Sequence, residues 1–198
     1  SLGLVNMIVL SGMAFLLNQT KWLFILIPII AAFIVFLRFN WKKARLFMGD
    51  GGSLVLGFIV AAISISLIKV SDSFVPDKTA SSIAIVTAIC MIPVIDTLRV
   101  FYHRMSRGKS PFSADKNHLH HLLVRHHLTH AQAATRLLLL HIFLFIFSIL
   151  MIKITGLFLV IVGQVLIVVG YTWEIQLFTG FVKSYLFIRR LENAGNME

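Results

Sequence analysis

Charge is scarce in this chain. Asp, Glu, Lys and Arg make up 13% of its 198 residues, about half the usual share, while apolar residues reach 58% and mean hydropathy is +0.90. A soluble globular domain is excluded. Cys90 is the single cysteine and lies within an apolar run, so an intrachain disulfide is excluded and a small packing residue is expected. Acids are rarer than bases, eight against 18. The first cation, Lys21, follows the first apolar run rather than preceding it, so a cleavable signal peptide is not expected. Beginning with Ser1, the chain reads as the C-terminal part of something longer. Internal repeats and low-complexity stretches are lacking as well.

What fills the chain is apolar sequence in six segments, about Leu2–Leu17, Trp22–Phe39, Leu54–Ile68, Ser82–Val100, Leu137–Ile152 and Thr155–Tyr171. They are continuous rather than alternating, which predicts membrane helices and not barrel strands. Pro28 and Pro93 lie inside spans, where neighbouring helices can satisfy the freed carbonyls. The expected fold is all-α: a polytopic transmembrane helical bundle of about six spans forming a single integral-membrane domain over 1–198. If the segments alternate sides, fourteen Lys and Arg fall on one face and only Lys21, Lys69, Lys78 and Lys153 on the other. The positive-inside rule makes the richer face cytoplasmic, with both termini. The tail, 174–198, mixes apolar residues with Lys183, Arg189 and Arg190 and reads as an interfacial amphipathic segment touching anionic membrane lipid.

Two polar inserts, 40–53 and 101–136, share that face. In the first, Gly49, Gly51 and Gly52 surround Asp50, and Ser53 is placed to cap a helix from Leu54. The Asp50 carboxylate suits Mg²⁺ beside a substrate phosphate, with the helix N-terminus favouring the anion. Asp-Gly is also ordinary turn chemistry. The second insert holds six Lys or Arg and seven His between Phe101 and Arg136, with Asp115 the sole acid. A helix from about Lys116 would stack His118, His121 and Arg125 on one face and turn His120 elsewhere. Such a face offers hydrogen-bond donors to a diphosphate.

Three other readings compete for the second insert. Zinc could use His126 with His130, yet no third ligand is near in the sequence. A lipid-binding basic surface is a second reading. Nucleic acid is disfavoured, because aromatics are not interleaved with the cations. His126, His127 and His130 are otherwise expected to be solvated or lipid-facing, and His141, inside a span, to be a hydrogen-bonded packing residue. Asp96, three residues before Arg99, is either an ion-pair partner or a functional group at membrane depth.

Phe-Met-Gly-Asp50-Gly-Gly-Ser, then Ile92-Pro93-Val94-Ile95-Asp96, then Lys109-Ser110-Pro111-Phe112-Ser113-Ala114-Asp115-Lys116-Asn117-His118-Leu119-His120-His121 together resemble one family. It is the polyprenyl-phosphate N-acetylhexosamine-1-phosphate transferases, over about Phe47 to Ala134. The resemblance implies Mg²⁺-dependent transfer of a sugar 1-phosphate from a UDP-HexNAc to undecaprenyl phosphate, with release of UMP, at a bacterial inner membrane. It implies Asp50 as metal-associated carboxylate and catalytic residue. His118 becomes catalytic, with Arg104, His120, His121 and Asp96 on the substrate. His-x-His-His followed by Leu122-Leu123, with no following Glu, is similar to the UDP-GlcNAc branch rather than the phospho-MurNAc-pentapeptide branch. Complete members carry further spans with a paired-aspartate motif that this chain lacks. A non-catalytic homologue, a partner-binding module or a transport protein is the alternative, and assembly as a homo-oligomer is allowed.

Overall fold

The computed structural model describes residues 2–40, 45–46, 48–74, 76–111, 118–125 and 128–195; side chains are described for these except 50, 73, 74, 76, 77 and 178–195. Every regular element among the described residues is helical: α1 (Leu2–Leu16), α2 (Thr20–Asn40), α3 (Gly49–Phe74), α4 (Pro76–Met105), α5 (Leu119–Arg125), α6 (His130–Thr155) and α7 (Leu157–Gly195). Continuous apolar sequence in a bilayer leaves the backbone to satisfy itself, and the helix does so within one segment. The chain is a multi-pass helical membrane protein.

Each of the six apolar segments becomes a helix, but five of them, α2, α3, α4, α6 and α7, are long and apolar enough to cross a membrane. The sixth, α1, has 15 residues, about 22 Å of helix against a hydrocarbon core of ~30 Å. It returns into α2 through a tight turn at Asn18, whose φ is +55°, and packs along α2. The tail is helical as far as it is described. No break separates it from the last span, and α7 runs on to Gly195.

The central element is α4, which packs on α3, α6 and α7. One side of it supplies Ile89 to a core with Met7, Leu10, Leu26, Ile63 and Leu67. The other supplies Ala88, Met91 and Ile92 to a second core with Leu137, Leu144 and Val168. Large side chains elsewhere face outward: Phe24 is 80% exposed and Phe158 77%, as a lipid-facing surface requires.

A buried polar contact ties the second core together. The Gln164 side-chain amide donates to the Ala84 carbonyl at 2.9 Å and to the Ser148 hydroxyl at 2.7 Å. That hydroxyl donates in turn to the Leu144 carbonyl. Three helices are thereby joined at one depth. At the preceding residue, a Cβ on Gly163 would stand 2.7 Å from the Phe147 ring, so the absence of a side chain lets α6 and α7 approach. Replacing Gln164 with Leu should destabilise the bundle by on the order of 1 kcal/mol, read as an earlier unfolding midpoint in an SDS titration from lipid–detergent micelles. An unchanged midpoint would show that this contact contributes nothing.

Candidate functional site

The two polar inserts lie at the same end of the bundle. Asn40 closes α2, and its side-chain oxygen accepts from the backbone N–H groups of Arg45 and Leu46 at 2.8 and 2.9 Å, turning the chain back toward α3. Gly49 takes a φ of +70°, a value glycine reaches without strain, and α3 starts there. Asp50 is therefore in the first turn of α3. Ser53 falls inside the helix rather than capping it. The glycine-rich turn is shorter than the sequence suggests because Gly51 and Gly52 are recruited into the helix. The Asp50 side chain is outside the described residues.

The histidine insert begins where α4 ends. The Arg104 guanidinium donates to the Pro111 carbonyl, and the Arg104 carbonyl accepts from the N–H groups of Arg107 and Lys109. Arg104 is 8% exposed. A substrate-facing cation was expected there; the buried side chain bonds the loop's own backbone at Pro111. Residues 112–117 are outside the described residues, and so are His126 and His127.

Helix α5 starts at Leu119 rather than Lys116, and His118 stands just before it. Tertiary structure sets that boundary. The Asp96 carboxylate, near the end of α4, accepts from the Leu119 N–H at 2.9 Å, lies 3.0 Å from His118 Nδ1 and accepts from Arg99 at 2.8 Å. A seven-residue helix has little stability of its own. This one is held by that cap and by Leu119, Leu122 and Leu123, which are buried against α6 and α7. Burying each leucine contributes roughly 1.5–3 kcal/mol. Asp96 is thus both the Arg99 partner expected from spacing and a tether for the histidine segment. His118 sits outside the helix, so it does not share a helical face with His121 and Arg125 as expected. His118 remains 44% exposed, and His121 is exposed.

His120 does turn elsewhere. Its Nε2 lies 3.2 Å from His130 Nδ1, and the two rings stack with centroids 5.4 Å apart. His130 opens α6, which Thr129 and Gln132 start with a reciprocal capping box. His130, expected to be solvated or lipid-facing with no role assigned, is exposed, yet it pairs with His120 at i, i+10 across two helices, which no local spacing encodes. Burial lowers the His120 pKa below its usual 6.5, and the charges of His130 and His121 lower it further. His141 is fully buried, but neither ring nitrogen has a partner, so its expected hydrogen bond is not formed.

A cavity of about 410 Å³ joins the inserts. Met48 and Asn40 reach it from the glycine turn, His120 and His130 from the histidine segment, and Phe33 and Leu137 are among its apolar walls. Sequence reading missed Asn40 here, though an Asn just before a loop is an ordinary turn signal. Among the described residues no three His, Cys, Asp or Glu side chains are grouped to hold a metal ion. The magnesium reading at Asp50 and the zinc reading at His126 and His130 each involve a residue whose side chain is outside the described ones.

Because the folded protein keeps His120 short of protons, stability from this contact is full above pH 6.5 and is lost as pH falls below that value. By NMR, His120 should titrate below 6.5, and His130→Ala should move its midpoint upward. A midpoint at or above 6.5 in the unaltered chain would contradict this geometry.

Comparison with known proteins agrees with the motif resemblance. Residues 1–68 match the family model described as glycosyl transferase family 4. The chain is similar to proteins named undecaprenyl-phosphate alpha-N-acetylglucosaminyl 1-phosphate transferase. It is 35% identical over 119 residues to that of Pasteurella multocida, covering 59% of this chain and 32% of the relative. For Yersinia pestis the figures are 32% over 139 residues, 67% and 36%. For Escherichia coli K12 they are 34% over 113 residues, 57% and 29%. The chain spans about a third of the length of these curated relatives. No solved structure matches it.

Proposed function

We propose that this chain, related to glycosyl transferase family 4 and to the undecaprenyl-phosphate GlcNAc-1-phosphate transferases, forms the histidine-bearing part of a polyprenyl-phosphate sugar-phosphate transferase. The donor is a UDP-HexNAc, UDP-GlcNAc by the similarity, and the acceptor is undecaprenyl phosphate. The site faces the cytoplasm, on the strength of the positive-inside rule, and the similarity to bacterial proteins supports an inner membrane as its setting. What supports the reading is a cavity lined by Asn40 and Met48 from the insert that holds Asp50 and by His120 and His130 from the histidine insert.

Phosphoryl transfer asks the protein mainly for positioning and for neutralising charge. In the proposed reaction an acceptor phosphate oxygen attacks the sugar-bearing phosphorus of the diphosphate. The bond from that phosphorus to the bridging oxygen breaks, and UMP leaves with the bridging oxygen and its electron pair. His118 and His121, exposed at the end of the bundle, are the donors that offset charge growing on UMP. Arg104 acts by holding the loop through Pro111. His120, paired with His130 at the cavity, lies where the acceptor headgroup would meet the apolar wall. Asp50 would hold a magnesium ion, which would supply positive charge against the diphosphate. A transport protein would be expected to line its span interiors with paired ionisable groups; Asp96 and Arg99 lie instead at the cation-rich end.

Membranes containing the chain, alone or joined to the N-terminal part of the Escherichia coli relative, should release UMP from UDP-GlcNAc only when undecaprenyl phosphate is added. Asp50→Asn should lower the rate about 100-fold or more while membrane insertion is unchanged. Absence of transfer in both arrangements, or full activity of Asp50→Asn, would overturn the reading.

A further inference from the structure

We infer that Asp96 is a positioning residue whose carboxylate fixes the tautomer and direction of the His118 ring, so that Nε2 is the atom offered to phosphate. The inference rests on the transferase reading for its chemistry but not for its geometry.

Asp96 spends its carboxylate inside the protein. One oxygen accepts from Arg99 and from the Leu119 N–H, and the other lies 3.0 Å from His118 Nδ1. Its side chain is 15% exposed and that of Arg99 13%, against 44% for His118. Asp96 and Arg99 are thus withdrawn from solvent while the imidazole between them and the cytoplasmic space is open. A substrate contact by Asp96, implied by the family resemblance, would have to displace one of these three bonds.

An ionised carboxylate only accepts hydrogen bonds. A neutral His118 facing it must therefore carry its proton on Nδ1, which leaves the lone pair on Nε2. When the ring is protonated, Nε2–H becomes the second donor while Nδ1–H stays on Asp96. In both states the same atom points outward, and Asp96 compensates the imidazolium charge. Arg99 supplies the opposite charge that keeps a lone carboxylate tolerable at this depth. Capping of Leu119 by the same carboxylate locks the backbone on which the ring is mounted, so orientation and loop position are set by one group.

The test uses the full 198-residue chain in lipid nanodiscs with ¹⁵N-labelled histidine. His118 is assigned by loss of its signals in His118→Asn. At a pH where the ring is neutral, the unaltered chain should show the Nδ1–H tautomer. Asp96→Asn retains an oxygen for the Leu119 N–H, yet its amide can donate to Nδ1, so the ring should move toward the Nε2–H tautomer. In the transfer assay Asp96→Asn should lower kcat by about 100-fold with KM for UDP-GlcNAc changed less than about threefold, since uniform substrate binding is left in place. His118→Asn keeps a donor where Nδ1 lies but has nothing in place of Nε2, and should be equally inactive. An Nε2–H ring in the unaltered chain, or a tautomer indifferent to Asp96→Asn, would overturn the inference. Should the tautomers behave as stated while the unaltered chain transfers nothing, the transferase reading falls and the orientation of His118 stands.

Discussion

One carboxylate near the end of a membrane helix decides how the water-facing chemistry of this protein is arranged. Helices in a bilayer satisfy their own backbones, so they can pack without regard to what their loops carry. The histidine segment has no such self-sufficiency, because α5 is seven residues long and isolated helices of that length do not persist. Its position comes from Asp96, which caps Leu119 and holds His118, and from three leucines seated in the second core. Remove the carboxylate and the leucines still hold the helix near the bundle. The direction of the His118 ring would no longer be determined.

The same economy shows in Arg104 and Asn40. Each is a polar side chain at the end of a span, and each is spent on loop backbone: Arg104 on Pro111, Asn40 on Arg45 and Leu46. Short loops at a membrane surface must satisfy backbone groups that neither helix nor lipid can reach. Polar residues at span ends therefore do structural duty before chemical duty. Exposed at the same end are His118 and His121, beside a cavity whose polar lining is His120, His130 and Asn40.

The apolar segments were legible because six continuous runs bounded by cations admit few other structures, and each became a helix. The convergence of the two inserts at one end was legible as well, since alternating spans leave no other arrangement. Local contacts followed spacing: Asp96 pairs with Arg99 at i, i+3. What escaped the sequence is tertiary. The start of α5 at Leu119 depends on a residue 23 positions away. Pairing of His120 with His130 spans ten residues, and the Gln164 contact with Ala84 spans 80. The start of α3 at Gly49 was missed for a different reason: three glycines read as a turn, although glycine costs a helix only about 1 kcal/mol each and an apolar run behind them can carry that.

His120 and His118 illustrate how two residues of one short motif are divided by their surroundings. His118 faces the Asp96 carboxylate through Nδ1 and keeps contact with water. His120 is half-buried beside two other imidazoles, and burial first, then their charges, lower its pKa. A neutral ring at the rim of an apolar cavity can hydrogen-bond a phosphate ester without paying to desolvate a cation. Two positions apart, one just before α5 and one within it, the motif thus presents one imidazole oriented by a carboxylate and one paired with another imidazole. The difference arises from Asp96 on one side and His130 on the other, neither of which belongs to the motif itself.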